Sequence, residues 1–238
     1  MTDQPAETPP RKAVAIVAMG ASHRSYTALT SQLGNRRRLV HEVWAINGMG
    51  TVIQHDLLFH MDDCKVQEAR AAAKPEGYVA GMVEWLKTHP RFITSKAYDD
   101  YPGAESFPLQ EVIDRFGHAY FNSTVAYAMA YAMHLDFTEI HLYGCDYSYA
   151  DNPHKMEKGR ACLEFWIGLA AAHGIRVSLP GDTTLLDCCA PMNERIYGYD
   201  AYHLQLVAEE GRTSPRVVAT AREQLPSADE IEQRYNHG

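Results

Sequence analysis

The sequence predicts an α/β protein with a Rossmann-like, mostly parallel sheet flanked by helices and a mobile polar lid loop. Short apolar runs alternate with helical segments along the chain, which is the pattern of strand-helix-strand units. The first run, residues 13–18, is continuously apolar, as in a central parallel strand that is buried on both faces. Several runs end in glycine or polar residues, at the position where open α/β sheets bind ligands.

Composition limits the classes of function. The 238 residues are 46% hydrophobic and 22% charged, which is ordinary for one globular core. The formal net charge of −8 argues against a globally basic nucleic-acid surface. The five cysteines form no CxxC pair, so they predict neither a disulfide scaffold nor a zinc site, and they fit a cytoplasmic protein.

The chain ends and the longest apolar runs carry further expectations. No apolar run approaches the roughly 20 residues of a membrane-spanning helix, so we expect no membrane span. Residues 1–12 are polar and proline-rich without a hydrophobic stretch, which predicts a disordered arm and no signal peptide. A Rossmann-like catalytic domain is predicted over residues 13–200, and a peripheral helix or tail over residues 201–238.

The turn after the first strand is a candidate phosphate site. It contains Gly20, Ala21 and Ser22, and a helix is predicted at about residues 25–33. A strand that runs into a Gly/Ser turn and then a helix presents free backbone N–H groups to an anion. Gly20 could also simply allow a turn.

The next two predicted strands also end in polar residues. Residues 42–46 lead into Asn47 and Gly48, and an asparagine at a strand end suits the edge of a base or ribose, although Asn-Gly is also a common turn pair. Residues 56–61 lead into Asp62 and Asp63. These acids could hold a metal, contact a ribose or cap a helix, and capping is the single interpretation that fits best.

The middle of the chain continues the alternation. Residues 65–90 are predicted to be helical with breaks at Pro75 and Gly77, and residues 91–94 form a short strand. A polar loop over residues 99–108 borders the site, and residues 109–116 form a helix. The organising stretch, residues 122–146, predicts a small-residue helix capped by Ser123 or Thr124, followed by a strand that ends in Gly144-Cys145-Asp146. That end is either a ligand site or an ordinary turn.

The predicted lid follows directly. Residues 147–160 are polar and begin with Tyr147, in the position where a closing loop would lie. His154 suits general-base chemistry because histidine titrates near neutral pH, although a surface histidine without a role is the simpler alternative. A helix to residue 172, a strand at residues 174–179 and a short helix from Thr183 complete the pattern.

This order of motifs resembles a group of Rossmann-like transferases. It is similar to glycosyltransferase family 42, the bacterial sialyltransferases, and to the related 6-hydroxymethylpterin diphosphokinase-like group and phage proteins. The resemblance spans about residues 13–187 and is best over residues 123–146 and 154–186. The first turn departs from the family's Asn-Gly-Pro-Ser pattern, because it reads Met-Gly-Ala-Ser here. Sialic acid transfer itself is therefore not assumed.

The resemblance implies roles for individual residues. It implies His154 as general base and Tyr147 or Tyr149 as a hydrogen-bond donor to the leaving phosphate. Asp146 matches the family's Gly-x-Asp motif and is counted with them as a candidate catalytic residue. The residues implied to contact the nucleotide are Gly20, Ala21, Ser22, Asn47, Ser123, Gly144 and Tyr147. Gly48 and Asp62, which follow predicted strands, are further candidates for that site.

The resulting hypothesis is a nucleotide-sugar-dependent glycosyltransferase that moves a sugar to an acceptor hydroxyl. The co-substrate is a nucleotide sugar, no resident metal is expected, and the acceptor could be a modified nucleic-acid base by analogy with phage proteins. Two alternatives stay open: a Mg²⁺-dependent diphosphokinase-like phosphotransferase, with Asp62, Asp63 or Asp146 as ligands, and a non-catalytic nucleotide-binding module. A homo-oligomeric assembly also stays open.

Overall fold

The computed structural model describes residues 11–147, 153–190, 192–212 and 214–235. Its main feature is a seven-stranded sheet with the strand order β5-β4-β3-β2-β1-β6-β7, in which every neighbouring pair is parallel. The strands are β1 (Ala13–Val17), β2 (Glu42–Ile46), β3 (Leu57–Phe59), β4 (Phe92–Thr94), β5 (Ala104–Ser106), β6 (Glu139–Tyr143) and β7 (Arg176–Ser178). The predicted α/β class with a parallel sheet is confirmed.

Helices cover both faces of the sheet. They are α1 (His23–Leu33), α2 (Cys64–Ala73), α3 (Tyr78–Thr88), α4 (Leu109–Phe116), α5 (Thr124–His134) and α6 (Pro153–Ala172). Alternate residues of β1 enter two separate cores: Val14 and Ile16 lie in the core formed with α4, α5 and α6, and Ala15 and Val17 in the core formed with α1, α2 and α3. The continuous apolar run of β1 is thus explained by burial on both faces.

The small residues of α5 bring this helix close to the sheet. Four of its alanines, Ala126, Ala128, Ala130 and Ala132, have no exposed surface. Its N-terminus is capped by Ser123, whose hydroxyl accepts a hydrogen bond from the Ala126 backbone N–H at 3.4 Å. The cap and the apolar face were both predicted, since each depends on residues close together in sequence.

Several boundaries differ from the predictions. The strand β5 lies inside the segment predicted as a polar loop, residues 99–108. The short helix expected from Thr183 is a 3₁₀ turn at Leu185–Asp187. The helix α6 begins at Pro153, so residues 153–160 are helical and the prediction of a polar loop over them is wrong. Proline suits the first turn of a helix, where its missing N–H has no partner to lose. The rest of the predicted lid, except Tyr147, lies outside the described residues.

Residues 189–238 form a second compact unit. Its described elements are α7 (Met192–Arg195), an antiparallel hairpin of β8 (Tyr202–Val207) and β9 (Arg216–Ala221), and α8 (Ala228–Tyr235). The sequence predicts a helix or tail over residues 201–238. The helix α8 lies in that range, and the hairpin was not predicted.

The structure describes only the last two residues of the predicted arm. Residues 1–10 of the predicted arm lie outside the described residues, whereas Arg11 and Lys12 bond to Glu139 and Thr138 at the start of β6. No helix in the described ranges has the length and apolar character needed to cross a bilayer.

Candidate functional site

The strand order reverses between β1 and β6, which are neighbours in the sheet. The chain builds β2 to β5 outward on one side of β1 and then returns to place β6 and β7 on the other side. At such a switch point the connections leave the two strands toward opposite faces, and a crevice opens at their carboxyl ends. The turn Gly20–Ser22 follows β1 and the turn Gly144–Asp146 follows β6, so the topology brings the two predicted turns together.

Hydrogen bonds between Ser22 and Asp146 join these turns. The backbone N–H and the hydroxyl of Ser22 donate to the two carboxylate oxygens of Asp146, at 2.7 and 2.8 Å. The Ser22 hydroxyl in turn accepts from the Gly144 backbone N–H at 2.9 Å. Both side chains are buried, with Ser22 1% and Asp146 6% exposed. Asp146 therefore shapes the floor of the crevice, because both of its oxygens are engaged by Ser22.

The two glycines allow this close approach. The Gly20 backbone N–H donates to the Gly144 carbonyl at 2.7 Å, and a Cβ at Gly20 would lie 2.7 Å from an oxygen of Asp146. Gly144 has a φ of +63°, and a Cβ there would overlap the Ala18 carbonyl group. A side chain at either position would separate the turns. Ala21, between Gly20 and Ser22, is exposed. Its backbone N–H donates to no acceptor in the described part of the chain, so it is available to a ligand.

Tyr147 and Ser123 form a second pair beside the crevice. The Tyr147 hydroxyl lies 2.9 Å from the Ser123 hydroxyl, and the Tyr147 backbone N–H donates to Thr184 at 3.3 Å. The ring passes over Gly159 of α6, where a Cβ would overlap it. Burial raises the pKa of the Tyr147 phenol, although the Ser123 hydrogen bond acts in the opposite direction. Tyr147 is therefore a neutral hydroxyl that can donate a hydrogen bond.

Asn47, Gly48 and Asp62 lie apart from this pair, at the ends of β2 and β3. Asn47 and Asp62 border a cavity of about 200 Å³ together with residues of α2 and α3. Asn47 has a left-handed backbone with a φ of +50°, a conformation that asparagine tolerates better than most residues. Gly48 lies under Tyr78, since a Cβ there would overlap the Tyr78 hydroxyl.

The acidic pair at the end of β3 divides into two roles. Asp63 caps α2 by accepting from the backbone N–H groups of Lys65 and Val66 at 2.9 and 3.1 Å, which confirms the capping interpretation for this residue. Asp62 is exposed at the edge of the cavity. Among the described residues, no three histidine, cysteine or carboxylate side chains gather as a metal site.

The two remaining predicted residues cannot be placed in the site. Tyr149 lies outside the described residues. His154 lies in the first turn of α6, and its side chain is outside the described part of the chain. The general-base role of His154 stays a prediction.

Sequence reasoning missed four residues that shape the site. Thr184 and Gly159 position Tyr147, and His60 and Gln67 line the cavity beside Asn47. His60 directly follows the apolar strand β3, and a histidine at a strand end was a usable signal. Gly159 and Gln67 lie within helical segments and carry no local signal of a contact with distant residues.

Comparison with known proteins gives matches only among solved structures, since neither a protein-family profile nor a curated protein matches the chain. The sialyltransferase CstII from Campylobacter jejuni, in complex with the substrate analogue CMP-3FNeuAc, is 15% identical with a TM-score of 0.46, over 94% of this chain and 99% of that chain. The monofunctional alpha-2,3-sialyltransferase Cst-I from Campylobacter jejuni is 15% identical with a TM-score of 0.41, over 78% of this chain and 82% of that chain. A CstII complex with cytidine-5'-monophosphate gives 16% identity and a TM-score of 0.43 over 94% of this chain and 99% of that chain. These are sialyltransferases, the group that the motif order resembles, but because the values are low no residue role is carried over from them.

Proposed function

We propose that the protein is a nucleotide-sugar-dependent glycosyltransferase that moves a sugar to an acceptor hydroxyl, with His154 as general base. The observation that carries the proposal is the row of polar groups along one edge of the sheet. They follow β6, β1, β2 and β3, which are neighbours in that order: Asp146, Ser22, Asn47 and Asp62. Strands lie about 4.8 Å apart, so the row is roughly 15 Å long, enough for a phosphate and the sugar bonded to it.

The switch-point end of the row suits the phosphate. The backbone N–H of Ala21 lies just before α1, and Ser123 caps α5, so two helix N-termini border the crevice. Each contributes partial positive charge that stabilises an anion. Tyr147 adds a neutral phenol that can donate to a leaving phosphate as charge develops on it.

His154 is the proposed base because transfer to a hydroxyl requires removal of a proton and a histidine can accept it near neutral pH. The acceptor stays undefined beyond its hydroxyl group. Phosphotransfer would instead require carboxylates to gather around Mg²⁺. Asp146 is bonded to Ser22 and Asp63 caps α2, so the geometry supports glycosyl transfer better.

The experiment combines ligand binding with one substitution. Thermal-shift measurements with CMP, UDP, GDP and ADP, and with their sugar conjugates, should identify a nucleotide that raises the Tm. With that donor, His154→Ala should lower kcat by about 10²- to 10⁴-fold and leave donor affinity nearly unchanged, since the base faces the acceptor. His203→Ala, at an exposed histidine of β8, is the matched control and should retain full activity.

Three results would contradict the proposal. The first is no stabilisation by any nucleotide at millimolar concentration. The second is activity that EDTA abolishes and Mg²⁺ restores while His154→Ala stays active, which indicates phosphotransfer. The third is nucleotide binding without turnover of any conjugate, which indicates a binding module.

A further inference from the structure

The residues that line a cavity beside the switch point include two with buried polar atoms that have no partner in the described part of the chain. It lies where β2 and β3 end, and its volume of about 200 Å³ is roughly the space of six or seven water molecules. The residues that line it are Asn47, His60, Asp62, Gln67, Arg70, Tyr78, Val79 and Met82. Asp62 and Arg70 are exposed at the rim, and His60 and Gln67 are each 5% exposed in the interior.

Three buried polar atoms of residues that line this cavity lack a hydrogen-bond partner in the part of the chain that the structure describes. They are both ring nitrogens of His60 and the side-chain oxygen of Asn47. A buried polar group without a partner costs about 1 to 3 kcal/mol, so natural proteins keep few of them. A ligand that pairs with these atoms explains why they are kept.

Gln67, the third polar residue inside the cavity, presents a hydrogen-bond donor. The Arg70 guanidinium donates to the Gln67 side-chain carbonyl at 3.0 Å. This bond orients the Gln67 carboxamide and leaves its N–H₂ group as a donor.

The unpaired atoms define the chemistry of the ligand. Burial lowers the pKa of the His60 imidazole, and the nearby Asp62 carboxylate opposes only part of that shift, so the ring is neutral at pH 7. A neutral imidazole has one donor and one acceptor nitrogen. Together with the Asn47 oxygen, the cavity therefore requires a ligand that donates hydrogen bonds as well as accepting them. A carboxylate or phosphate only accepts, and it would leave two acceptors unpaired.

We propose that this cavity binds the hydroxyl-bearing ring of the transferred sugar, with His60 and Gln67 as its specificity-determining residues. Each sugar hydroxyl both donates and accepts, which matches the mixed set of unpaired groups. A nucleobase also carries both kinds of group, but flat bases bind on aromatic faces. Tyr78 is the only tyrosine, phenylalanine or tryptophan in the lining, and its hydroxyl end lies against Gly48. Val79 and Met82 supply the apolar contact that a sugar ring needs.

This inference rests on the proposed function for the identity of the ligand, and its position agrees with that function. The cavity follows β2 and β3, whereas the phosphate end of the row follows β1 and β6. A sugar in the cavity would therefore lie one to two strands away from the phosphate site, on the same edge of the sheet.

The test substitution is His60→Phe, which keeps the ring shape and removes both nitrogens. Because the nitrogens are unpaired, the variant should fold with a Tm equal to or above that of the wild type. The control is His134→Phe, which changes a mostly buried histidine at the last residue of α5, at the opposite edge of the sheet. Binding is measured by calorimetry with CMP, UDP, GDP and ADP and with CMP-N-acetylneuraminate, UDP-glucose, UDP-N-acetylglucosamine, GDP-mannose and ADP-glucose. Saturation-transfer NMR with the free methyl glycosides of glucose, galactose, mannose and N-acetylglucosamine provides a second measurement that needs no nucleotide.

The inference expects one conjugate to bind more tightly than its parent nucleotide. His60→Phe should remove that gain, a loss of about 10- to 100-fold, and abolish the glycoside signal while the parent nucleotide binds as before. The inference is overturned if the tighter binding of the conjugate survives His60→Phe, or if the wild-type protein shows neither tighter conjugate binding nor a glycoside signal. It is also overturned if His60→Phe lowers the affinity for the parent nucleotide, which would indicate a base pocket. Glycoside binding that depends on His60 without any nucleotide binding would support the cavity and refute the proposed function.

Discussion

Two glycines of α6 predict opposite effects of the same substitution. Gly159 and Gly168 lie in one helix, where replacing glycine by alanine ordinarily stabilises by about 1 kcal/mol. A Cβ at Gly168 meets nothing within 4 Å, so Gly168→Ala should raise the free energy of unfolding by about 0.5 to 1 kcal/mol. A Cβ at Gly159 overlaps the ring of Tyr147 and lies 3.0 Å from its Cδ1 atom.

The expected cost at Gly159 follows from that overlap. Inserting a methyl group into a packed site costs about 1 to 3 kcal/mol. Displacing the ring also weakens the 2.9 Å hydrogen bond between Tyr147 and Ser123, worth about 1 kcal/mol. After subtracting the gain in helix propensity, Gly159→Ala should destabilise by about 1 to 3 kcal/mol.

Urea unfolding followed by tryptophan fluorescence measures both variants. The three tryptophans, Trp44, Trp85 and Trp166, all lie in residues 1–188, so the signal reports on the unit that contains the site. Nucleotide affinity should fall in Gly159→Ala and stay unchanged in Gly168→Ala, since only the first moves Tyr147. Equal stabilisation by both substitutions would refute the placement of Tyr147 over α6.

Two further predictions concern hydrogen-bonded polar side chains, the buried Ser22 and the partly buried Asp56. Ser22→Ala removes the hydroxyl that donates to Asp146 and accepts from the Gly144 N–H, so it should destabilise the protein by about 2 to 4 kcal/mol in urea unfolding. The control Ser25→Ala removes only exposed contacts at 3.2 and 3.4 Å and should cost under about 1 kcal/mol. Similar losses in both variants would contradict the role of Ser22. Burial acts to raise the pKa of Asp56, but hydrogen bonds from a backbone N–H and two arginines hold it below the ordinary 3.8. A carboxyl group with a lowered folded-state pKa stabilises the protein above its unfolded pKa and loses that contribution as the pH falls through the folded pKa. Asp56→Asn should therefore destabilise by about 1 to 3 kcal/mol at pH 7, and its difference from wild type should shrink below about pH 4; a difference independent of pH would show that the charge is not involved.

Local features of the chain were predictable because each depends on residues close in sequence. The helix over residues 109–116 has the predicted boundaries, and the apolar segment of β1 is buried on both faces as its composition indicates. Ser123 caps α5, since an N-cap requires only a hydroxyl next to the first turn. The start of α6 was not predicted, because the polar composition of residues 153–160 suits an exposed loop and an exposed helix equally well.

The sequence by itself determined the class of fold and the turns that carry the candidate site. Alternating apolar and helical segments specify a parallel sheet, and glycine with serine or aspartate after a strand identifies Gly20, Ser22, Gly144 and Asp146. Only the tertiary structure decided which groups are available. It joined Ser22 to Asp146 across 124 residues of sequence, so that Asp146 is occupied. It also left the His60 ring nitrogens and the Asn47 side-chain oxygen without a partner among the described residues. The physical reason is that hydrogen-bond satisfaction and burial depend on the three-dimensional neighbours of an atom, which periodicity along the chain does not encode.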